Sequence, residues 1–198
     1  MRGRGMVVSR WLSALAALCM VAALCAPAWA TIVRHVPLEG LIRISDAIAT
    51  ARVVDAQTFW SVSERQIITA TTLEVERGWW GAPAKRIKVQ QIGGTLGERT
   101  TRIPGDVQLA RDERAVMFLK GPFRGERGDF YTFVALSQSR YTITGAGEDA
   151  VVKRELGDLA FMMADGKTVK AIEEPPRGLA SFEAELEALV AAIKGVRP

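Results

Sequence analysis

Residues 47–60 read AIATARVVDAQTFW, residues 61–64 read SVSE, and residues 66–77 read QIITATTLEVER. This stretch decides the fold. The first run is rich in Ala, Val and Thr and carries apolar residues on both faces, as a long, mostly buried strand does. Ser61-Val62-Ser63-Glu64 is a turn. The second run alternates: Ile67, Thr69, Thr71, Leu73 and Val75 point one way, and Gln66, Thr72, Glu74 and Glu76 the other, joined by Ile68 and Ala70. A period of two marks a half-buried strand, so the pair forms a long hairpin.

Downstream, Gly78-Trp79-Trp80-Gly81-Ala82-Pro83 breaks the pattern. Arg86–Ile92 reads as a third strand with Ile87 and Val89 inward. Gly93–Asp106 reads as a loop closed by a Pro104-Gly105 turn. Ala115–Leu119 is a short apolar strand, Gly121–Asp129 a polar glycine-rich loop, and Phe130–Leu136 and Arg140–Thr144 two further strands or one bent strand. Val151–Met163 reads as a strand followed by an irregular apolar segment, and Glu173-Glu174-Pro175-Pro176 as a stiff connector. In the last segment Phe182, Leu186, Leu189, Val190 and Ile193 form one apolar stripe, which predicts a helix over 182–194. Ser181 is placed to cap it, Lys194 suits its negative end and Gly195 stops it. Upstream of the hairpin, Pro37 opens a short helix in which Leu38, Leu41, Ile42 and Ser45 share a face, ending near Asp46. Successive strands with a helix at each end and no βαβ alternation give a mainly β, α+β protein: a small antiparallel barrel or sandwich with a C-terminal amphipathic helix packed on it.

The first thirty residues read differently. Arg2, Arg4 and Arg10 form a basic head, Trp11–Cys25 an apolar run of about 15 residues, and Ala28-Trp29-Ala30 places small residues where signal peptidase reads. A membrane span needs about 20 residues. The expectation is a leader cleaved after Ala30 and a product in the periplasm or outside the cell, with no stable membrane anchor. The organisation that follows is a leader (1–30), an extension with a short helix (31–46), a barrel (47–144) and a C-terminal extension (145–198). Cys19 and Cys25 both fall in the leader, so the rest of the chain has no thiol and one histidine, His35. The leader holds three of the 26 basic residues, which leaves 23 against 22 acidic ones, a net of +1. So neutral a chain offers no electrostatic case for nucleic acid. About 168 residues bury a core large enough to hold without disulfides.

A resemblance rests on the order of several phrases: Leu38-Glu39-Gly40-Leu41 with Asp46-Ala47-Ile48, Thr72–Gly78, Gln91-Ile92-Gly93-Gly94, Asp112–Leu119 and Ala135-Leu136-Ser137-Gln138. Together they resemble secreted bacterial proteins whose core is similar to the OB-fold module of netrins and of the tissue inhibitors of metalloproteinases. The resemblance implies an OB-like barrel over 47–144. It suggests inhibition of a secreted metalloprotease as a second function. Inhibitors of that family set an N-terminal cysteine against the protease zinc, whereas this chain has Thr31 after its leader and no cysteine there.

Each candidate site has an ordinary reading beside it. His35 as a base needs a nucleophile and an orienting acid. Ser45 and Asp46 are near in sequence, but no nucleophile-elbow glycines surround any serine. One histidine is too few for the usual zinc sets. Gly93-Gly94-Thr95-Leu96-Gly97 lacks the Lys-Ser/Thr ending of a phosphate loop and reads as glycines needing positive φ. Glu74/Glu76 and Asp112/Glu113 are paired acids of the kind glycosidases use, though charged outer strand faces are ordinary. Trp60, Trp79 and Trp80 either seal the barrel ends or form a contact surface. The flanking glycines are expected to expose Trp79 and Trp80. The expectation is a binding module without catalytic, metal or cofactor residues. Its partner is a secreted or periplasmic protein, a protease among the candidates, met by Trp79, Trp80, Trp60, Thr95 and Arg99 on the loops Gly78–Pro83, Gly93–Asp106 and Gly121–Asp129.

Overall fold

The computed structural model describes residues 31–81, 83–156, 159–163 and 165–194. The expected leader with Ala28 and Ala30, and Gly195, expected to stop the last helix, lie outside the described residues. The described chain is mainly β with two helices, as its patterning implies. Strand β1 (Thr31–Val33) leads into helix α1 (Leu38–Ile44). Then come β2 (Ala47–Ser61), β3 (Gln66–Trp80), β4 (Arg86–Ile92), the short pair β5 (Gly94–Leu96) and β6 (Arg99–Thr101), and β7 (Arg114–Gly125). They are followed by β8 (Gly128–Phe133), β9 (Arg140–Thr144), β10 (Val151–Arg154), β11 (Leu159–Met162), β12 (Val169–Lys170), β13 (Arg177–Gly178) and helix α2 (Leu179–Lys194). None of the described helices is long and apolar enough to cross a membrane.

The hairpin β2–β3 is the spine. Its register runs from Ile48 opposite Trp80 to Ser61 opposite Gln66, with irregularities after Ile48, Thr50 and Val53 that bend it. β7 pairs antiparallel with the first half of β2, and β4 with β3. β8 pairs antiparallel with β7 and meets β4 in parallel, Val89 opposite Tyr131. β9, β10 and β13 extend the sheet beyond β7. A separate three-stranded sheet joins β1 in parallel to β11, and β11 to β12.

Two cores share β2 and β7. Ala47, Ala51 and Val53 of β2 and Ala115, Met117 and Leu119 of β7 face one core, with Leu73, Ile87 and Val89. The alternate residues Ile48, Val116 and Phe118 face the other, where Leu41 and Ile42 of α1 and Phe182, Leu186, Val190 and Ile193 of α2 cover them. A third, smaller core of Leu156, Leu159 and Phe161 lies under the three-stranded sheet. It is bordered by Arg154, whose side chain is 1% exposed. Arg154 Nε donates to the Gln138 carbonyl (2.8 Å), one terminal nitrogen donates to the Val36 carbonyl (2.6 Å), and the other pairs with Glu174 (2.8 Å).

Several sequence expectations need correction. Gly78, Trp79 and Trp80 belong to β3 rather than to a loop: Gly78 lies opposite Ala49 beside an irregularity of register, where a glycine fits. β7 does not stop at Leu119. It runs to Gly125 and turns at Glu126-Arg127 into β8, so most of the expected loop Gly121–Asp129 is strand. Pro122 is tolerated because it sits in the irregularity between Lys120 and Phe123, where no ladder bond is required of it. The loop 93–106 carries the β5–β6 pair. β8 ends at Phe133 and β9 begins at Arg140, so they are separate strands. The segment 151–163 divides between two sheets, β10 in one and β11 in the other. Helix α2 starts at Leu179, whose N–H donates to Ala150 O, so Ser181 lies inside its first turn and does not cap it.

Candidate functional site

The far end of the β2–β3 hairpin carries the most distinctive surface. Beyond Val53, β2 leaves β7 and the hairpin projects, flanked on each side by another piece of chain. On one side lies the β5–β6 pair. Gly94 makes the approach possible: its φ is +120°, and a Cβ there would stand 2.2 Å from Thr69 Oγ1 and 2.9 Å from the Thr58 side chain. Thr58 and Thr69 share a hydroxyl hydrogen bond of 3.1 Å, and Thr69 Oγ1 donates to Gly93 O at 2.7 Å. Thr95 and Thr100 are bonded at 3.0 Å across β5–β6. Between these threonines, Gln91 and Asp106 lies a groove of about 220 Å³.

On the other side lies the β7–β8 turn. Ser61 Oγ and the Ser63 N–H both donate to Glu126, at 3.1 and 2.7 Å. Hydrogen bonds from Ser63, side chain first and then N–H, together with that from Ser61, hold the Glu126 carboxyl below the usual range. The Arg127 guanidinium stacks over Phe59 at 3.8 Å. The two turns are thereby tied together.

The apolar side chains left exposed gather here. Trp60 is 47% exposed and Val62 75%. Leu96, Ile103, Ile92 and Phe123 are exposed on the segments beside them. Six of the ten exposed large hydrophobics among the described residues thus lie on this one end, a concentration that a scattered surface would not give.

Burial pushes the Asp106 carboxyl up, against the opposing hydrogen bonds of Gln91 and of the Val107 N–H. The folded state therefore holds this proton more tightly than the unfolded chain does. Stability falls as pH rises from the ordinary carboxylate value through the raised one. Asp106→Asn removes that titration. The advantage of the Asp106→Asn protein over the parent is expected to grow with pH across that window and to level off above it. Urea midpoints taken between about pH 3.5 and 7 check this, and an advantage that does not change with pH refutes it.

Among the sequence candidates, Trp60, Thr95 and Arg99 come to this end of the molecule. Trp79 and Trp80 lie at the other end of the hairpin, beside the start of β2. The flanking glycines do not expose Trp79: it is buried (9%), its indole N–H donates to Thr50 Oγ1 at 2.9 Å, and the Arg77 guanidinium lies 3.6 Å above its ring. Trp80 is half-buried. His35 is paired with Glu174 at 3.1 Å. Its sequence neighbours are engaged elsewhere, Ser45 Oγ with Leu41 O and Asp46 with Lys120. Three of the paired acids hold strand-face arginines, Glu74 with Arg52 (3.0 Å), Glu76 with Arg114 (2.7 Å) and Glu113 with Arg140 (2.8 Å), while Asp112 is exposed in a turn, its N–H donating to Val53 O. Among the described residues no group of three or more His, Cys, Asp or Glu side chains is placed to hold a metal ion.

Sequence reasoning did not single out Val62, Leu96, Ile103 or Asp106. For Val62 a signal existed, a lone large apolar residue in the polar turn Ser61–Glu64. For Asp106 there was none, because its burial depends on a loop closing over it. No protein-family model, curated protein or solved structure matches this chain.

Proposed function

We propose that the chain is a non-enzymatic, exported binding module, an OB-like barrel that engages a protein partner through the hairpin end. Support for the barrel comes from the order of pairing: β2 to β3 to β4, β4 in parallel to β8, β8 to β7, and β7 back to β2. In a five-stranded Greek-key barrel of that order, recognition falls to the loops joining strands one and two and strands four and five. The equivalent turns here, 61–65 and 126–127, are the two that Glu126 joins. The observation that carries the reading is Trp60 and Val62 standing exposed on a hairpin braced from both sides. A large ring held on rigid strands anchors an interface at little cost in entropy.

A photo-activated cross-linking residue in place of Val62 tests this in the cells that produce the protein. The expected result is one discrete protein adduct, absent when the same probe replaces Lys153. With that partner in hand, Trp60→Ser is expected to weaken binding about 30-fold or more, the loss of a hot-spot tryptophan. No adduct at 62, or equal binding by the Trp60→Ser protein, overturns the assignment.

A further inference from the structure

A second cavity lies behind the β7–β8 turn, where β4 and β8 part company. A single parallel register pair, Val89 opposite Tyr131, joins these strands. Beside it the strands leave a cleft of about 420 Å³, within the size range of sites for small organic ligands. Arg86 and Lys88 stand two residues apart on the outer face of β4, while the alternate residues Ile87 and Val89 face the core. Arg127 of the β7–β8 turn, Gly128, Asp129 and Tyr131 of β8, and Pro122, Thr72 and Ala84 also line it.

The charges in this cleft are unbalanced. Three strand-face arginines elsewhere on the molecule have carboxylate partners: Arg52, Arg114 and Arg140 each hold one. Among the described residues no carboxylate lies within ion-pair distance of Arg86, Lys88 or Arg127. Lys88 Nζ reaches only the Arg127 carbonyl, at 3.3 Å, and Arg127 lies on the face of Phe59. Asp129 is the one acid in the lining. Burial, with the Asp129 charge behind it, raises the Tyr131 phenol, which therefore remains an O–H donor at neutral pH. Pro122, Ala84 and the Tyr131 ring give the cleft an apolar side, next to Thr72.

We propose that this cleft binds a soluble phosphate monoester, its phosphate between Arg86, Lys88 and Arg127 and its apolar body against Pro122 and Tyr131. Two cations at strand spacing suit a dianion with several acceptor oxygens, and a guanidinium offers it paired donors. An apolar wall beside a cationic one selects an ester over the free ion. The cleft shares Arg127 with the β7–β8 turn, but Trp60 and Val62 take no part in it, so the proposal does not rest on the protein-binding reading and the two are tested apart.

Phenyl phosphate is the probe, titrated into the full-length protein exported and processed by its own host, with amide NMR shifts as the readout. The expected result is saturable movement of the Arg86, Lys88 and Gly128 signals, with inorganic phosphate at least about tenfold weaker. Arg86→Gln is expected to weaken phenyl phosphate about tenfold, the loss of one charge-assisted contact. Arg86→Gln with Lys88→Gln abolishes saturation, whereas Arg99→Gln and Trp60→Ser leave it unchanged. Both cleft side chains are exposed, so these variants fold. Equal affinity for inorganic phosphate overturns the role of the apolar wall. Absence of saturation, or indifference to the paired substitution, overturns the site. Flotation with phosphatidate vesicles in the absence of phenyl phosphate binding assigns the cations to a lipid surface and overturns the soluble ligand.

Discussion

Trp79→Ala is expected to lower the free energy of unfolding by about 3–5 kcal/mol, the range for removing a large aromatic side chain from a core. The ring belongs to the core between the main sheet and the two helices, together with Ile48, Phe118 and Phe182. Its loss opens a space there that neighbours held on strands and helices cannot fill. It also strands the Thr50 hydroxyl, which is buried (3%) and bonded to the indole N–H, and it removes the surface on which Arg77 stacks. Trp79→Phe keeps most of the volume and loses the hydrogen bond, so a smaller loss, about 1–2 kcal/mol, is expected. Urea unfolding measures both. Binding separates the two tryptophans: Trp79→Ala lowers capture of the partner only as far as it lowers the folded fraction, whereas Trp60→Ser lowers capture by a protein that remains folded. Unchanged stability of the Trp79→Ala protein refutes this account of the core.

Arg154→Met is the second large effect. The guanidinium spans three points that are far apart in the chain: the Val36 carbonyl before α1, the Gln138 carbonyl before β9, and Glu174 in the proline-containing connector. His35 stands at the same junction, its Nε2 3.1 Å from Glu174 Oε1 and its ring edge-on to Phe161 at 5.7 Å. Gln138 closes the group by accepting from the Val36 N–H and donating to Arg34 O. Removing a buried cation while its acceptors stay in place costs about 3–5 kcal/mol. That is a fifth or more of a typical stability of about 5–15 kcal/mol. Lysine restores little, because one ammonium cannot reproduce the fixed fork that serves three acceptors. His35→Gln is mild, under about 1 kcal/mol, since its side chain is 35% exposed and the pair with Glu174 is screened by water. The urea midpoints of the three variants give the order. Equal losses for His35→Gln and Arg154→Met would show that the histidine, not the arginine, holds the junction.

Much of the architecture was legible because it is local. The alternation of Ile67, Thr71 and Leu73 against Thr72 and Glu74 fixes which face of β3 is buried, and burial follows it. The apolar stripe of Phe182, Leu186, Val190 and Ile193 likewise reads directly into α2. What escaped depends on distant contacts or on glycine and proline in unusual settings. Gly78 and Gly81 made a tryptophan pair look like a loop, yet only Gly81 turns the chain: its φ is +72°, and a Cβ there would lie 2.0 Å from Asp46 O. Gly121-Pro122 looked like the end of a strand that in fact bends and continues. The junction of His35, Arg154 and Glu174 joins residues more than a hundred positions apart, and no spacing in the sequence announces it. At the candidate site, Trp60, Thr95 and Arg99 were found, but their relation to the β7–β8 turn was not, because Glu126 reaches Ser61 and Ser63 only in the folded chain.

β7 carries alternate side chains into two different cores, Ala115, Met117 and Leu119 on one side and Val116 and Phe118 on the other. The core that α2 covers is therefore the last to be completed during synthesis, whereas the residues of the other all lie within 47–133. Until residues 179–194 have left the ribosome, Val116, Phe118 and Tyr141 lack the cover of α2, and the nascent polypeptide stays short of its native state. On the proposed reading of an exported chain, such a delay would keep it threadable through a translocation channel and leave folding to the far side.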